Sequence, residues 1–254
     1  PELVRANEEG WQGHLSRLEK HQTSRSKSDL KYRVVFRVLN AADYGVPQKR
    51  ERVVFVGFRN DLDVEWSFPN ATHSLDALLW SQVRTGEYWD RHKVKKRDRI
   101  VDPRLEARVD QSMFESRSQA WRTTRDAIAD LPDPEFEPEA ASKIRDHRFQ
   151  GGARSYPGHT GSALDLPAKT LKAGVHGVPG GENMLARADG SVRYFTVRES
   201  ARLQTFPDDF VFHGAWSETM RQLGNAVPVT LASAVAKHVR RHLDTSARLK
   251  EMGL

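Results

Sequence analysis

Two runs of the chain are apolar without helical spacing. YRVVFRVLN, residues 32–40, and RVVFVGF, residues 52–58, are rich in β-branched and aromatic side chains, and each reads as a strand. The segment between them, AADYGVPQKRE, carries Gly45 and Pro47 and is short enough to join two neighbouring antiparallel strands. Apolar residues fall on both faces of these strands, which predicts a sheet covered on both sides. Elsewhere the spacing turns helical. Trp11, Leu15 and Leu18 predict an amphipathic helix over residues 1–20, followed by a polar linker, HQTSRSKSDLK. TTRDAIADLPD predicts a short capped helix ended by Pro132, and TVRESARLQTFP a second, with Thr196 and Glu199 as its capping box and Pro207 beyond its end. In VPVTLASAVAKHVRRHL, Pro228 stands near the first turn, and Leu231, Val235, Val239 and Leu243 form an apolar stripe that faces a core.

Between residues 71 and 160 the apolar content falls and charge rises. The stretch from Gly158 to Phe195 is rich in glycine and turn formers and predicts short irregular strands and loops. No internal repeat is present. A chain of 254 residues is long enough for a sizeable core, and one composite unit is the expectation. The formal charge of +6 favours an anionic partner, nucleic acid before a membrane surface. No apolar run approaches the roughly 20 residues of a spanning helix, and the N-terminus lacks the form of a signal peptide. A soluble, bacterial-type protein of the cytoplasm, associated with the nucleoid, is therefore expected. The most basic run, RHKVKKRDR, offers Lys95, Lys96 and Arg97 either to DNA phosphates or simply to solvent. The chain has no cysteine, which excludes disulfides, thiolate metal sites and a thiol nucleophile of its own. It opens at Pro1 rather than methionine, and we read that start as artificial.

Candidate chemistry begins at Gln48, Arg50 and Arg52. This Q-x-R-x-R comb precedes the second apolar run, and strand alternation would aim all three side chains one way. Two guanidiniums and an amide converging on a sheet edge suit a phosphate or a base edge. The plainer alternative is an ion-paired edge, with Asp43 and Glu51 as partners.

Three blocks, DYGVPQKRERVVFVG, TVRESARLQTFPDDF and RQLGNAVPVTLASAVAKHV, in this order resemble the C-terminal half of DNA cytosine-5 methyltransferases. The resemblance covers residues 33–70 and about 160–241, and only weakly the middle, as a region that varies with DNA target would be. It implies an α/β fold: the C-terminal part of a Rossmann-like, S-adenosylmethionine-dependent methyltransferase core with an inserted, irregular β-rich target-recognition domain. The expected division is 1–70 for the last core strands, 71–195 for target recognition and 196–254 for a supporting helix and the return to the core. By resemblance, Arg52 binds the carbonyl oxygen of a flipped cytosine, while Arg50 and Gln48 hold a backbone phosphate and support the pocket. Asn225, Ala226 and Val227 lie beside the S-adenosylmethionine cofactor. Thr170 and Leu171 match the threonine–leucine pair that touches double-stranded DNA near the flipped base. Arg198 and Glu199 are structural.

The first half of the family pattern is absent: no glycine-rich cofactor turn, no Pro-Cys nucleophile loop, no Glu-Asn-Val segment. HGVPGGENM, the only dense glycine run, follows no convincing strand. An N-terminal half or partner subunit carrying the nucleophile is therefore expected, and this chain alone is expected to be inactive. Two other readings are a non-catalytic, sequence-specific DNA-binding subunit and a metal nuclease, the latter suggested by the acids and lysine of PDPEFEPEAASK.

Overall fold

The computed structural model describes His14 and residues 31–62, 64–110, 117–173 and 183–251, with the side chains of Asp110 and residues 246–251 left aside. The amphipathic helix and linker expected before residue 31 lie outside this set, apart from His14, which is helical and buried. Strands β1 (Tyr32–Asn40) and β2 (Glu51–Arg59) pair antiparallel, from Tyr32 opposite Arg59 to Asn40 opposite Glu51, as the sequence predicts. The turn between them is closed by one side chain. Asn40 Oδ1 accepts from Ala42 N at 3.3 Å and from Arg50 N at 3.2 Å, so it caps the 3-10 turn Ala41–Tyr44 and ties it to the returning chain. Gly45 has φ +83°, and a Cβ there would fall 2.8 Å from the His73 ring, so this position requires glycine twice over.

Alternation along the hairpin makes two apolar sets, and only one is covered. Leu39, Val54 and Val56 pack with Phe68, Trp66 and the residues Leu231, Ala234 and Val235 of the C-terminal helix Val229–Glu251. The contact expected between residues 53–58 and 229–243 is thus present. Val34, Phe36, Val38, Val53 and Phe55 point the other way and are exposed. The expectation of a sheet covered on both faces is corrected: the periodicity was read properly, but the described residues supply one covering layer, not two.

The middle region opens with β3 (His73–Ser74), parallel to β4 (Gln119–Ala120), and with helix α1 (Leu75–Leu79), capped by Ser74 and continued by the π-helical turn Trp80–Arg84. Helices α2 (Glu87–Arg91) and α3 (Pro103–Asp110) follow. Leu78, Tyr88 and Trp89 form their core. Helix α4 (Thr124–Ile128) carries a Thr123/Asp126 capping box and ends before Pro132, and α5 (Pro138–Ser142) has proline in its first turn. Strands of two or three residues each, β5 (Ser162–Ala163), β6 (Met184–Ala186) and β7 (Val192–Tyr194), form a mixed sheet. The architecture is mixed α/β, but β structure in the middle is sparser than the sequence suggests.

Helix α6 (Val197–Leu203) begins at the Thr196/Glu199 capping box. Arg193 grips Glu199 through two bonds of 2.8 and 2.7 Å, both partners buried, and His147 bridges Thr196 Oγ1 and Pro132 O. Asp133 joins this network through Arg187 and Arg193. Burial pushes its carboxyl up, but the Glu135 N–H and the Arg193 and Arg187 guanidiniums outweigh burial and hold it below the ordinary carboxylate range. A carboxyl depressed in the folded state lends stability above its unfolded pKa, lost as pH falls through the folded value. Asp133→Asn should therefore cost about 2 kcal/mol at pH 7. The gap between parent and variant should close as pH drops from about 4 towards 2. Urea unfolding at pH 7 and pH 3 checks this; an equal gap at both would remove Asp133 from the network.

Candidate functional site

The comb does not lie on one strand face. β2 starts at Glu51, and the preceding residues run beside 168–170 instead: Lys49 N donates to Ala168 O at 2.8 Å, Ala168 N to Pro47 O at 3.0 Å, and Thr170 Oγ1 to Lys49 O at 2.8 Å. Its three side chains consequently meet three environments. Gln48 is fully buried, and neither polar atom of its amide has a hydrogen-bond partner. Arg50 is 1% exposed. Arg52 is half-buried, with its guanidinium at the surface, bonded to Glu51 O at 2.6 Å. Asp43 is engaged elsewhere, by Trp121 Nε1 at 3.0 Å. Among the described residues neither arginine is ion-paired, so the alternative of a carboxylate-paired edge is not what holds the comb.

Arg50 carries a charge inside the protein, and its partners among the described residues are carbonyls. Nη1 donates to Leu171 O at 3.0 Å, and Nη2 to Gly224 O at 2.7 Å and Ala226 O at 2.9 Å. Gly224 and Ala226 close helix α7 (Trp216–Asn225), so the guanidinium sits at a helix C-terminus, where unpaired carbonyls and the dipole favour a cation. Burial and the nearby Arg52 charge push its pKa down to about 10, which leaves it charged at neutral pH. The phosphate role assigned to Arg50 from sequence meets a guanidinium turned inward, onto protein carbonyls.

The same knot places the other candidates. Leu171 is buried in the core with Phe195 and Leu203, its carbonyl on Arg50, while Thr170 is half-buried with its hydroxyl on the comb backbone. Asn225, between the two residues whose carbonyls Arg50 holds, is exposed, and its side chain has no partner among the described residues. Val227 is exposed and Ala226 half-buried. Lys95, Lys96 and Arg97 are exposed around the 3-10 turn Lys96–Asp98 and take no part in this knot. The nuclease-like acids are held by arginine: Asp133 and Glu135 both bond Arg187.

Sequence reasoning passed over three residues here. A Cβ on Gly224 would lie 2.3 Å from Ala173 N, so this glycine lets α7 reach the 171–173 backbone. Asn183, fully buried, straps that backbone with bonds to Lys172 N and O of 2.9 and 3.0 Å. Gln204 Nε2 donates to Leu223 O at 2.7 Å, and Gln204 O accepts from Val229 N at 3.0 Å, which joins α6 to both later helices. Gly224 and Gln204 stand inside the quoted blocks RQLGNAVPVTLASAVAKHV and TVRESARLQTFPDDF, while Asn183 follows the glycine run of HGVPGGENM. Cavities of about 480, 490 and 460 Å³ lie in the middle region and against α7, and none is lined by the comb or by 224–227.

Against known families, residues 7–241 match the C-5 cytosine-specific DNA methylase model, and the chain belongs to that family. It is 30% identical over 217 residues to the type II methyltransferase M.MthTI of Methanothermobacter thermautotrophicus, covering 85% of this chain and 58% of that protein. To M.Eco47II of Escherichia coli it is 35% identical over 214 residues, covering 82% and 46% respectively. The chain thus spans about half the length of the curated relatives it matches. A crystal structure of the S. pombe Dnmt2 methyltransferase aligns with 16% identity and a TM-score of 0.45, over 95% of this chain and 63% of that one.

Two substitutions test the knot. Gly224→Ala should cost about 2 kcal/mol or more, because the new methyl meets backbone rather than a flexible side-chain tip. Arg50→Ala, which opens a cavity and strips donors from Leu171, Gly224 and Ala226, should cost about 3–5 kcal/mol. Urea denaturation measures both, and a loss under about 0.5 kcal/mol for Arg50→Ala would show that the clamp is dispensable.

Proposed function

We propose that this chain is the C-terminal part of a DNA (cytosine-5)-methyltransferase, divided as 1–70, 71–195 and 196–254, that contributes target recognition and part of the cytosine and S-adenosylmethionine pocket. The observation that carries this is the Arg50 clamp. One side chain draws together the comb, the Thr170–Leu171 pair and the GNAVP block, and leaves Arg52 and Asn225 open beside it. In this reading Arg50 is a positioning residue. Arg52 meets the carbonyl oxygen of the flipped cytosine, and Asn225 with its neighbours borders the methyl donor. Thr170 and the run Lys95–Arg97 face DNA phosphates.

S-adenosylmethionine supplies the methyl group that carbon 5 takes. The thiolate that adds to carbon 6 must come from a polypeptide other than these 254 residues, which hold no cysteine. Arg52 would hold its bond more strongly as charge builds on the cytosine carbonyl oxygen, which is how a positioned donor lowers a barrier. Incubated with DNA and S-adenosylmethionine, the chain alone should transfer no methyl group, and should gain activity when the polypeptide bearing the nucleophile loop is added. Robust transfer by the verified chain alone would overturn this. DNA binding with no activity under any complementation would favour the non-catalytic subunit.

In the completed enzyme, Arg52→Ala should lower single-turnover methylation by about a hundredfold with little loss of DNA affinity, since many phosphate contacts share the binding energy. Lys95→Ala should do the reverse: a shallower salt dependence of binding and a near-parental rate at saturating DNA. Parental turnover by Arg52→Ala at saturating DNA would reduce the comb to a structural edge.

A further inference from the structure

A cavity of about 460 Å³ opens between residues 142–148, the start of α6 and the first turn of α7. Helix α7 is ten residues long, so the cavity lies about 15 Å from the Arg50 clamp at the helix's other end. Its polar wall is made of donors. Helix α7 starts at Ala215, which offers no side-chain cap, so its first-turn N–H groups lack an acceptor of that kind. Thr219, 2% exposed, lines the cavity, and its hydroxyl bonds no described residue. Arg145 and Arg148 stand exposed at the same place, and neither is ion-paired among the described residues. Nearby arginines are engaged, Arg187 by Asp133 and Glu135 and Arg202 by Asp130 and Asp208. Two carboxylates oppose an anion here, and each faces a guanidinium: Asp146 lies 3.5 Å from Arg198 Nη2, and Glu218 lies 2.6 Å from Arg221 Nη2. Two free cations, an uncapped helix start and an unused hydroxyl around one hollow suit a phosphate, whose oxygens accept.

The rest of the wall is largely apolar. Phe212 and Trp216 present rings that neighbours hold in place, Phe212 against Phe206 and Phe210 and Trp216 against Tyr194. Fixed rings take flat ligands by stacking. We infer that the cavity binds a nucleotide, its phosphate held by Arg145, Arg148, Thr219 and the α7 N-terminus and its base laid against the Phe212 and Trp216 rings. A free monophosphate and a residue of a DNA strand offer the same chemistry. The site goes beyond the proposed function, since none of these residues belongs to the comb, the Thr170–Leu171 pair or the GNAVP block.

Calorimetric titration of the chain with deoxyguanosine 5′-monophosphate tests this, beside deoxyguanosine and inorganic phosphate. The monophosphate should saturate one site and bind at least about tenfold more tightly than either part. Arg145→Ala combined with Arg148→Ala should weaken it at least about tenfold and leave folding intact, because both side chains are exposed and unpaired. Thr219→Val keeps the shape and removes a buried hydroxyl without a partner. It should weaken binding about threefold to tenfold while the urea midpoint stays at or above the parental value, so it decides alone if the arginine variant does not fold. Phe212→Leu should reduce the advantage of the monophosphate over inorganic phosphate. A duplex oligonucleotide that displaces the monophosphate identifies a DNA strand as the source, and one that binds without displacing it identifies a free nucleotide. No saturable binding below about 5 mM, equal binding of the unphosphorylated nucleoside, or parental affinity in the arginine variant or in Thr219→Val would overturn the site.

Discussion

A single buried guanidinium sets the geometry on which everything else here depends. Moving an isolated charge out of water is prohibitive unless nearby dipoles replace hydration, and Arg50 has no carboxylate to help it. Its substitute is a carbonyl 121 residues away and two more 174 and 176 residues away. The arrangement tolerates little displacement, because a guanidinium is planar and its donors point in fixed directions. The backbone must therefore come to the arginine. That explains Gly224, where any side chain would strike the Lys172–Ala173 backbone, and it explains the Asn183 strap that holds this backbone in place.

Around the clamp, buried polar networks fasten neighbouring elements to one another. Arg193 with Glu199, Arg198 on the carbonyls of Arg145, Pro207 and Phe210, and His147 between Thr196 and Pro132 fasten α6 to its surroundings. Such networks fix one arrangement because breaking any member strands a buried group. Surface pairs such as Arg221 with Glu218 lack that leverage, since water and salt compete for both partners. The strong pairs lie where the middle region meets helix α6, so the middle of the chain is held to the end that carries Asn225.

What could be read in advance was what local chemistry dictates. The β1–β2 pairing, the capped helix before Pro132, the Thr196/Glu199 box and the inward packing of Leu231 and Val235 follow from periodicity and cap residues, and the structure shows each. The comb was harder. Alternation assumes that a strand continues through all three positions, but Gln48 bridges Ala168, a residue whose proximity no local pattern encodes. The uncovered hairpin face was illegible for a related reason. Sequence shows that a face is apolar, not which polypeptide covers it. Ser74 caps a helix that the sequence reading did not single out, its hydroxyl receiving the Ala77 N–H.

The comb's internal asymmetry bears on what it is for. A fold under no constraint but stability would not keep an amide like that of Gln48, buried with both polar atoms unsatisfied, when a residue of similar size and no polarity removes a penalty of about 1–3 kcal/mol. Arg50 Nε is likewise without a partner. An unpaired amide and an unpaired guanidinium Nε within three residues, next to an arginine at the surface, form a local conflict of the kind proteins retain where function demands it. The division of labour follows from burial. Gln48 and Arg50 are buried, and in the proposed reading they help to fix where Arg52 begins. The guanidinium of Arg52 lies at the surface, on a backbone that Arg50 and Thr170 hold from either side.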